Sequence, residues 1–260
     1  MTDFRAAWIA YDDSVRPRLG VGPPVRRARH LVIPEGESAD YHFTRARYAK
    51  IHLVATELRD CLFEDVRTDY WAVSGDLQVR SRVANCDFVR CDLKANLITN
   101  VTFENCRFRE CTLRNWGNIG ADYLGCTFSG AILSGFFDAH LSRVNPAYSA
   151  GLVIDNDFTQ ADLVDVDFRG GVDLFRQSLP GGSTYRVIED SHAMILYLSR
   201  NTRILPVSDP SRKTDLEVFA ALLNADYEQG QKQKLIDQRE LAASVWSAIQ
   251  ASGLARPVQA

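Results

Sequence analysis

Apolar residues in the middle of this chain recur every five residues. That spacing fits neither an α-helix, whose apolar face returns about every 3.6 residues, nor a lone strand, whose faces alternate. One frame holds Phe43, Tyr48, Leu53, Leu58 and Phe63, then Phe88, Leu93, Ile98, Phe103, Phe108 and Leu113. It continues through Tyr123, Phe128 and Leu133, and returns at Phe158, Leu163 and Phe168. Thr68, Val73, Gln78, Val83, Asn118, Asp138, Arg143, Tyr148 and Val153 keep the frame without always keeping the residue type, so insertions there must nearly preserve the count.

The cysteines obey the same frame. Cys61, Cys86, Cys91, Cys106, Cys111 and Cys126 all sit two residues before a frame position. Random placement among five phases would do this about once in 3,000 trials, so a fixed-period repeat is the better explanation. Ala46, Ala121, Ala131 and Ala161 share the slot, which therefore wants a small apolar group, and a free Cys behaves as one. The spacing has no short-range Cys pairs set around turns, so packing explains these thiols better than a zinc site does.

The runs Cys86-Asp87-Phe88-Val89-Arg90, Cys91-Asp92-Leu93-Lys94-Ala95, Asn156-Asp157-Phe158-Thr159-Gln160 and Ala161-Asp162-Leu163-Val164-Asp165 resemble the pentapeptide-repeat family. The resemblance covers about residues 40 to 174. It implies an all-β solenoid, a right-handed quadrilateral β-helix with four pentapeptides per coil and about six coils. Residues 20 apart should then stack like on like, as a solenoid core requires. One column reads Tyr48, Thr68, Phe88, Phe108, Phe128, Tyr148, Phe168; a second reads Leu53, Val73, Leu93, Leu113, Leu133, Val153. A third runs Phe43, Phe63, Val83, Phe103, Tyr123, Arg143, Leu163, and the fourth is interrupted by Gln78, Asn118 and Asp138.

The flanks read as caps: an N-terminal cap segment over 1–39, the repeat over 40–174, and a linker with an α-helical C-terminal region over 175–260. A short helix is expected near Phe4 to Tyr11 and a strand at His30 to Ile33. Ala193 to Leu198 is an apolar run that suits a strand or a helix. Thr214-x-x-Glu217 reads as a capping box, with Leu216, Phe219, Leu223 and Tyr227 at helical spacing after it. A second helix is expected from about Lys232 to Ser252, stopped by Gly253. Phe219, Leu223, Trp246 and Ile249 are candidates for a homodimer contact through these helices.

A net charge of −3 over 260 residues does not mark a nucleic-acid binder. No stretch approaches the ~20 apolar residues of a membrane helix, and no signal peptide is evident, so the expected location is the cytosol, where thiols stay reduced. His30, His42, His52, His140 and His192 form no zinc motif, and His42 and His52 fall at outward positions. No Walker loop, Rossmann fingerprint or nucleophile elbow appears, so neither catalytic residues nor a cofactor nor a metal is expected. Function should lie on the outward positions of the repeat. Asp155, Asp157, Asp162, Asp165 and Asp167 make the last coils acidic, a candidate face for a basic partner protein. The family resemblance extends to quinolone-resistance members, dimeric rods that mimic DNA and bind gyrase or topoisomerase IV. It implies a non-enzymatic protein binder that protects or inhibits such a topoisomerase, without touching nucleic acid. The alternative is a toxin-neutralising immunity protein or a regulatory scaffold.

Overall fold

A computed structural model describes residues 15–17, 30–33, 36–74, 79–117, 120–139, 151–182, 184–204 and 210–258. The helix expected near Phe4 to Tyr11 lies outside these residues, and a strand occupies His30–Ile33. Many pentapeptides are short strands closed by a corner in the left-handed backbone region, and longer strands such as Thr127–Asp138 and Asp157–Arg169 run through more than one. Fourteen described non-glycine residues have positive φ, and nine of them are Asp or Asn. These side chains tolerate that region because they can hydrogen-bond locally. Thirteen of the corners fall at residue numbers divisible by five; Ser134 is the exception.

Apart from Val15–Pro17, which lies antiparallel against Tyr41–Thr44, parallel pairing joins the strands of the coils to their counterparts one coil away, so the inward side chains form columns. Phe43, Phe63, Phe88, Phe108 and Phe128 are register partners or neighbours in sequence order, and Phe158 continues the stack. Their rings lie face to face with centroids 4.3, 4.7, 4.6, 4.9 and 4.7 Å apart, the spacing of hydrogen-bonded strands. The other columns read Tyr48, Thr68, Leu93, Leu113, Ile132, Leu163; Ile33, Leu53, Val73, Ile98; and Leu58, Val83, Phe103, Tyr123, Val153.

These columns correct the strict 20-residue register. The step from Phe63 to Phe88 is 25 residues and that from Phe128 to Phe158 is 30. Extra lengths of five and ten residues preserve the frame but move every later residue to another side of the coil. Leu133 and Asp138 are also displaced as inward residues: Ile132 and Phe137 are buried in their place. The pairing loses one residue between Phe108/Phe128 and Cys111/Gly130. Gly130 makes this possible, with φ +94° and only 2.2 Å between the position of a Cβ there and the Cys111 carbonyl oxygen. The small-residue slot has large exceptions, above all two tryptophans. Trp71 and Trp116 are fully buried and meet each other edge-on at 6.0 Å, filling the side where the repeat loses its large frame residues.

After the strand Asp157–Arg169 the chain builds a cap. Strands Lys234–Asp237, Tyr185–Ile188 and Ala255–Pro257 form an antiparallel sheet in that order. Helices α1 (Ser191–Ile204), α2 (Pro210–Glu228) and α3 (Ala243–Ser252) bury Met194, Leu198, Leu216, Phe219, Leu223, Trp246 and Ile249 together. Tyr185, Val187, Leu235 and Val258 belong instead to the core of the coils, so the cap and the rod share apolar contact. The apolar run at Ala193 to Leu198 is helical. The capping box is not formed: Pro210 starts α2 four residues earlier, and the Thr214 hydroxyl donates back to the Pro210 carbonyl. The expected helix from Lys232 shrinks to α3, because Leu235 and Ile236 pair with the strand Tyr185–Ile188 instead. Gly253 ends α3 with φ 67°. No helix among the described residues is long and apolar enough to cross a membrane.

Candidate interaction surface

The outward faces of the coils carry ion pairs that bridge neighbouring coils. The Arg82 guanidinium lies between Glu57 at 3.0 Å and Glu104 at 2.5 Å. Arg90 meets Glu64 at 2.8 Å and Asp65 at 2.9 Å, Arg107 meets Asp87 at 2.5 Å, and Arg114 meets Asp92 at 3.0 Å. Arg80 reaches Asp122 at 2.8 Å. Hydrogen bonds from Arg82 and then Arg59, acting against slight burial, hold the Glu57 carboxyl below its ordinary value. These faces are therefore mosaics of paired charge rather than stripes of one sign.

The acidic residues of the last coil are mostly engaged within the chain. Arg176 holds both Asp155 oxygens, at 3.0 and 2.9 Å. Asp157 accepts from the backbone N–H and hydroxyl of Thr159 at 2.8 and 2.7 Å. The Arg239 guanidinium donates to Asp162 at 2.8 Å while also pairing with Asp237. Lys234 bridges Asp167 at 2.5 Å and Asp226 at 2.7 Å. Burial pushes the Asp167 carboxyl up, but Lys234 and Arg169 outweigh it and leave the group below its ordinary value. Asp165 is exposed, and its backbone N–H donates to the Glu240 carboxylate.

Backbone groups at this end of the coils are finished by side chains from the chain that follows. The Tyr185 hydroxyl accepts from the Leu163 N–H at 3.0 Å and donates to its carbonyl at 3.2 Å. The Gln177 amide accepts from Asn156 N–H at 3.2 Å and donates to the Val153 carbonyl at 2.9 Å. Gln231 accepts from Gly171 N–H and Gln233 from Leu174 N–H, at 3.0 and 2.7 Å. An unfinished ladder would be an open edge ready to pair with another chain. Sequence reasoning missed these residues. The available signal was charge: Arg176, Lys234 and Arg239 follow an acidic coil.

Phe219, Leu223, Trp246 and Ile249 are buried inside one chain, at 8, 1, 6 and 0% exposure. As surface residues for a dimer they are corrected: they form the interior of the cap. Of the histidines, His42 lies 3.5 Å from Glu64 and is half-buried. His52 is half-buried too, with its pKa lowered by burial and then by Lys50. His192 is exposed against Tyr227, and His140 lies outside the described residues. Every cysteine thiol is buried, and those of Cys86, Cys91, Cys106 and Cys111 donate to backbone carbonyls at 3.2–3.3 Å. Hydrogen bonding to Cys111 and burial raise the Cys91 thiol well above its ordinary value, which leaves it a poor nucleophile. No cluster of three or more metal-ligating groups occurs among the described residues.

Residues 79–115, where all four columns are best filled, match the family model for pentapeptide repeats, in eight copies. The chain therefore carries pentapeptide repeats over that stretch. No curated protein matches the chain. Pentapeptide repeats imply a β-solenoid, and the many parallel strands in register agree with that architecture. In this repeat protein the outward positions carry paired Arg and carboxylate groups, a surface that can present specific charge and hydrogen-bond patterns to another protein.

Proposed function

We propose that this chain, with its pentapeptide repeats, is a non-catalytic binding rod whose mixed-charge coil faces dock one protein partner, in the manner of an immunity protein or regulatory scaffold. The observation that carries this reading is the ladder of intercoil ion pairs through Arg82, Arg90, Arg107 and Arg114. In this reading the rod is four-sided with about six coils, of the right hand favoured for connections between parallel strands. Residues 175–260 close one end of it, and the N-terminal cap segment over 1–39 lies mostly outside the described residues. It works in the cytosol, where its buried thiols stay reduced.

The more specific reading is a DNA mimic that occupies the DNA site of gyrase or topoisomerase IV. It is favoured by the acidic run in the strand Asp157–Arg169, where Asp165 is exposed. It requires a dense negative stripe, since duplex DNA carries one charge per ~1.7 Å of axis. The pairing of Asp155, Asp162 and Asp167 with Arg176, Arg239 and Lys234 weighs against it.

A gyrase supercoiling assay separates the two. The docking-rod reading predicts no inhibition and no relief of fluoroquinolone-induced cleavage at micromolar protein. Dose-dependent inhibition would replace it with DNA mimicry. For the rod reading, a partner captured by affinity should be lost on Arg107→Glu with Arg109→Glu. Retention of that partner would remove this face.

A further inference from the structure

We propose that the cleft between the cap sheet and the turn that follows the last coil is a binding site for a small aromatic carboxylate. In the strand Ala255–Pro257, Arg256 stands opposite Val187. Facing residues of an antiparallel pair share one side of the sheet, and alternate residues return to it, so Val187, Arg256 and Val258 point the same way. That side faces the coils, since Val187 and Val258 belong to their core. Across the cleft the turn supplies Leu174 and Leu179, buried in the same core, with Phe175 at the rim. The floor is therefore apolar.

The rim selects the ligand. Phe175 is 53% exposed, the only exposed phenylalanine among the described residues. The Arg256 guanidinium lies over its ring, 5.0 Å from the centroid. The Arg256 Nε donates to Glu189, and its two terminal nitrogens have no other partner among the described residues. An apolar floor, an open aromatic ring and a free donor fork complement an apolar ring that carries one acid group. The neighbouring cation Arg176 is turned to both Asp155 oxygens, so the rim offers a single guanidinium, which suits a carboxylate better than a doubly charged phosphate. A dry cavity of about 150 Å³ takes benzene, so the 280 Å³ of this cleft has room for a ring and a short acid chain. The carboxylate is that of a free acid or of a peptide's C-terminal phenylalanine.

Ligand-observed NMR titration of the full chain tests this, with 3-phenylpropionate in one arm and a short peptide ending in a free phenylalanine carboxylate in the other. A Kd on the order of 1 mM or tighter is expected in at least one arm, and the tighter arm names the source. The matching uncharged amide of each probe should bind at least about tenfold more weakly, and so should the acid to Arg256→Gln. Glu189→Gln releases the guanidinium and should tighten the acid about threefold. No binding of either acid at about 10 mM would overturn the proposal. So would amides that bind as well as the acids, acid binding that survives Arg256→Gln, or weaker binding to Glu189→Gln.

Discussion

The Lys234 ammonium of the cap lies 2.5 Å from the Asp167 carboxylate of the last coil, with Asp226 of α2 on its other side at 2.7 Å. The Lys234 side chain is only 16% exposed. One cation therefore ties three segments together: the end of the rod, the cap sheet and a cap helix.

This triad sets a pH dependence. The Asp167 carboxyl, raised by burial but lowered more by Lys234 and Arg169, ends below its ordinary value. Its stabilisation is present above about pH 4 and is lost as the pH falls through the lower folded value. Burial lowers Lys234, but Asp167 and Asp226 outweigh it and leave the ammonium above its ordinary value. Its contribution is complete below about pH 10.4 and is lost as the pH rises through the folded value. Urea melts of the parent should weaken toward pH 3, and Lys234→Met should flatten that slope. An identical acid slope in the variant would count against the triad.

Asp162 and Asp165 face the cap, so reversing their charge should disturb the fold as well as any partner. Asp162→Lys loses the Arg239 pair and sets cation against cation, which Asp165→Lys beside the Glu240 carboxylate offsets only in part. Asp162 and Arg239 are about half exposed, so the effect should be about 1 kcal/mol, or a fall in Tm of about 2–4 °C. An unshifted Tm would place Arg239 in solvent.

Phe108 lies between Phe88 at 4.6 Å and Phe128 at 4.9 Å, with Trp116 edge-on at 5.6 Å. Phe108→Ala should cost about 3–5 kcal/mol in denaturant melts, because neighbouring coils hold the cavity open. A loss under about 1 kcal/mol would mean that the column can collapse around the gap.

Two corner glycines should behave differently. A Cβ at Gly130 meets Cys111 backbone, whereas at Gly125 it meets only the Asn105 side-chain oxygen at 2.9 Å. Gly125→Asn should be nearly neutral, since Asn tolerates this backbone region and Asn105 can turn away. Gly130→Ala should cost several times more, by at least about 2 kcal/mol. Equal costs would contradict the one-residue shift at Gly130.

The period and the cysteine phase were legible because both are local counts. The columns were legible only in stretches, such as Phe88, Phe108, Phe128 and Val83, Phe103, Tyr123, because lengths of five and ten leave the phase unchanged while rotating the stack, so Phe168 and Phe108 share a frame but not a side. The shift that exchanges Leu133 for Ile132 has only Gly130 as its signal. Leu235 looks helical in line with Ala242 and Val245, yet its strand partner Val187 lies far away in sequence. The acidic coil was readable as composition. Its engagement by Arg176, Arg239 and Lys234 depends on a chain reversal that no local pattern encodes.

The most direct test of a coil whose acids hold its own cap is a double-mutant cycle on Asp167→Asn and Lys234→Met, followed by chemical denaturation at pH 7. The account predicts that each single variant loses stability and that the pair couples by about 1–3 kcal/mol. A coupling indistinguishable from zero would contradict it, and would return the acidic face to the solvent.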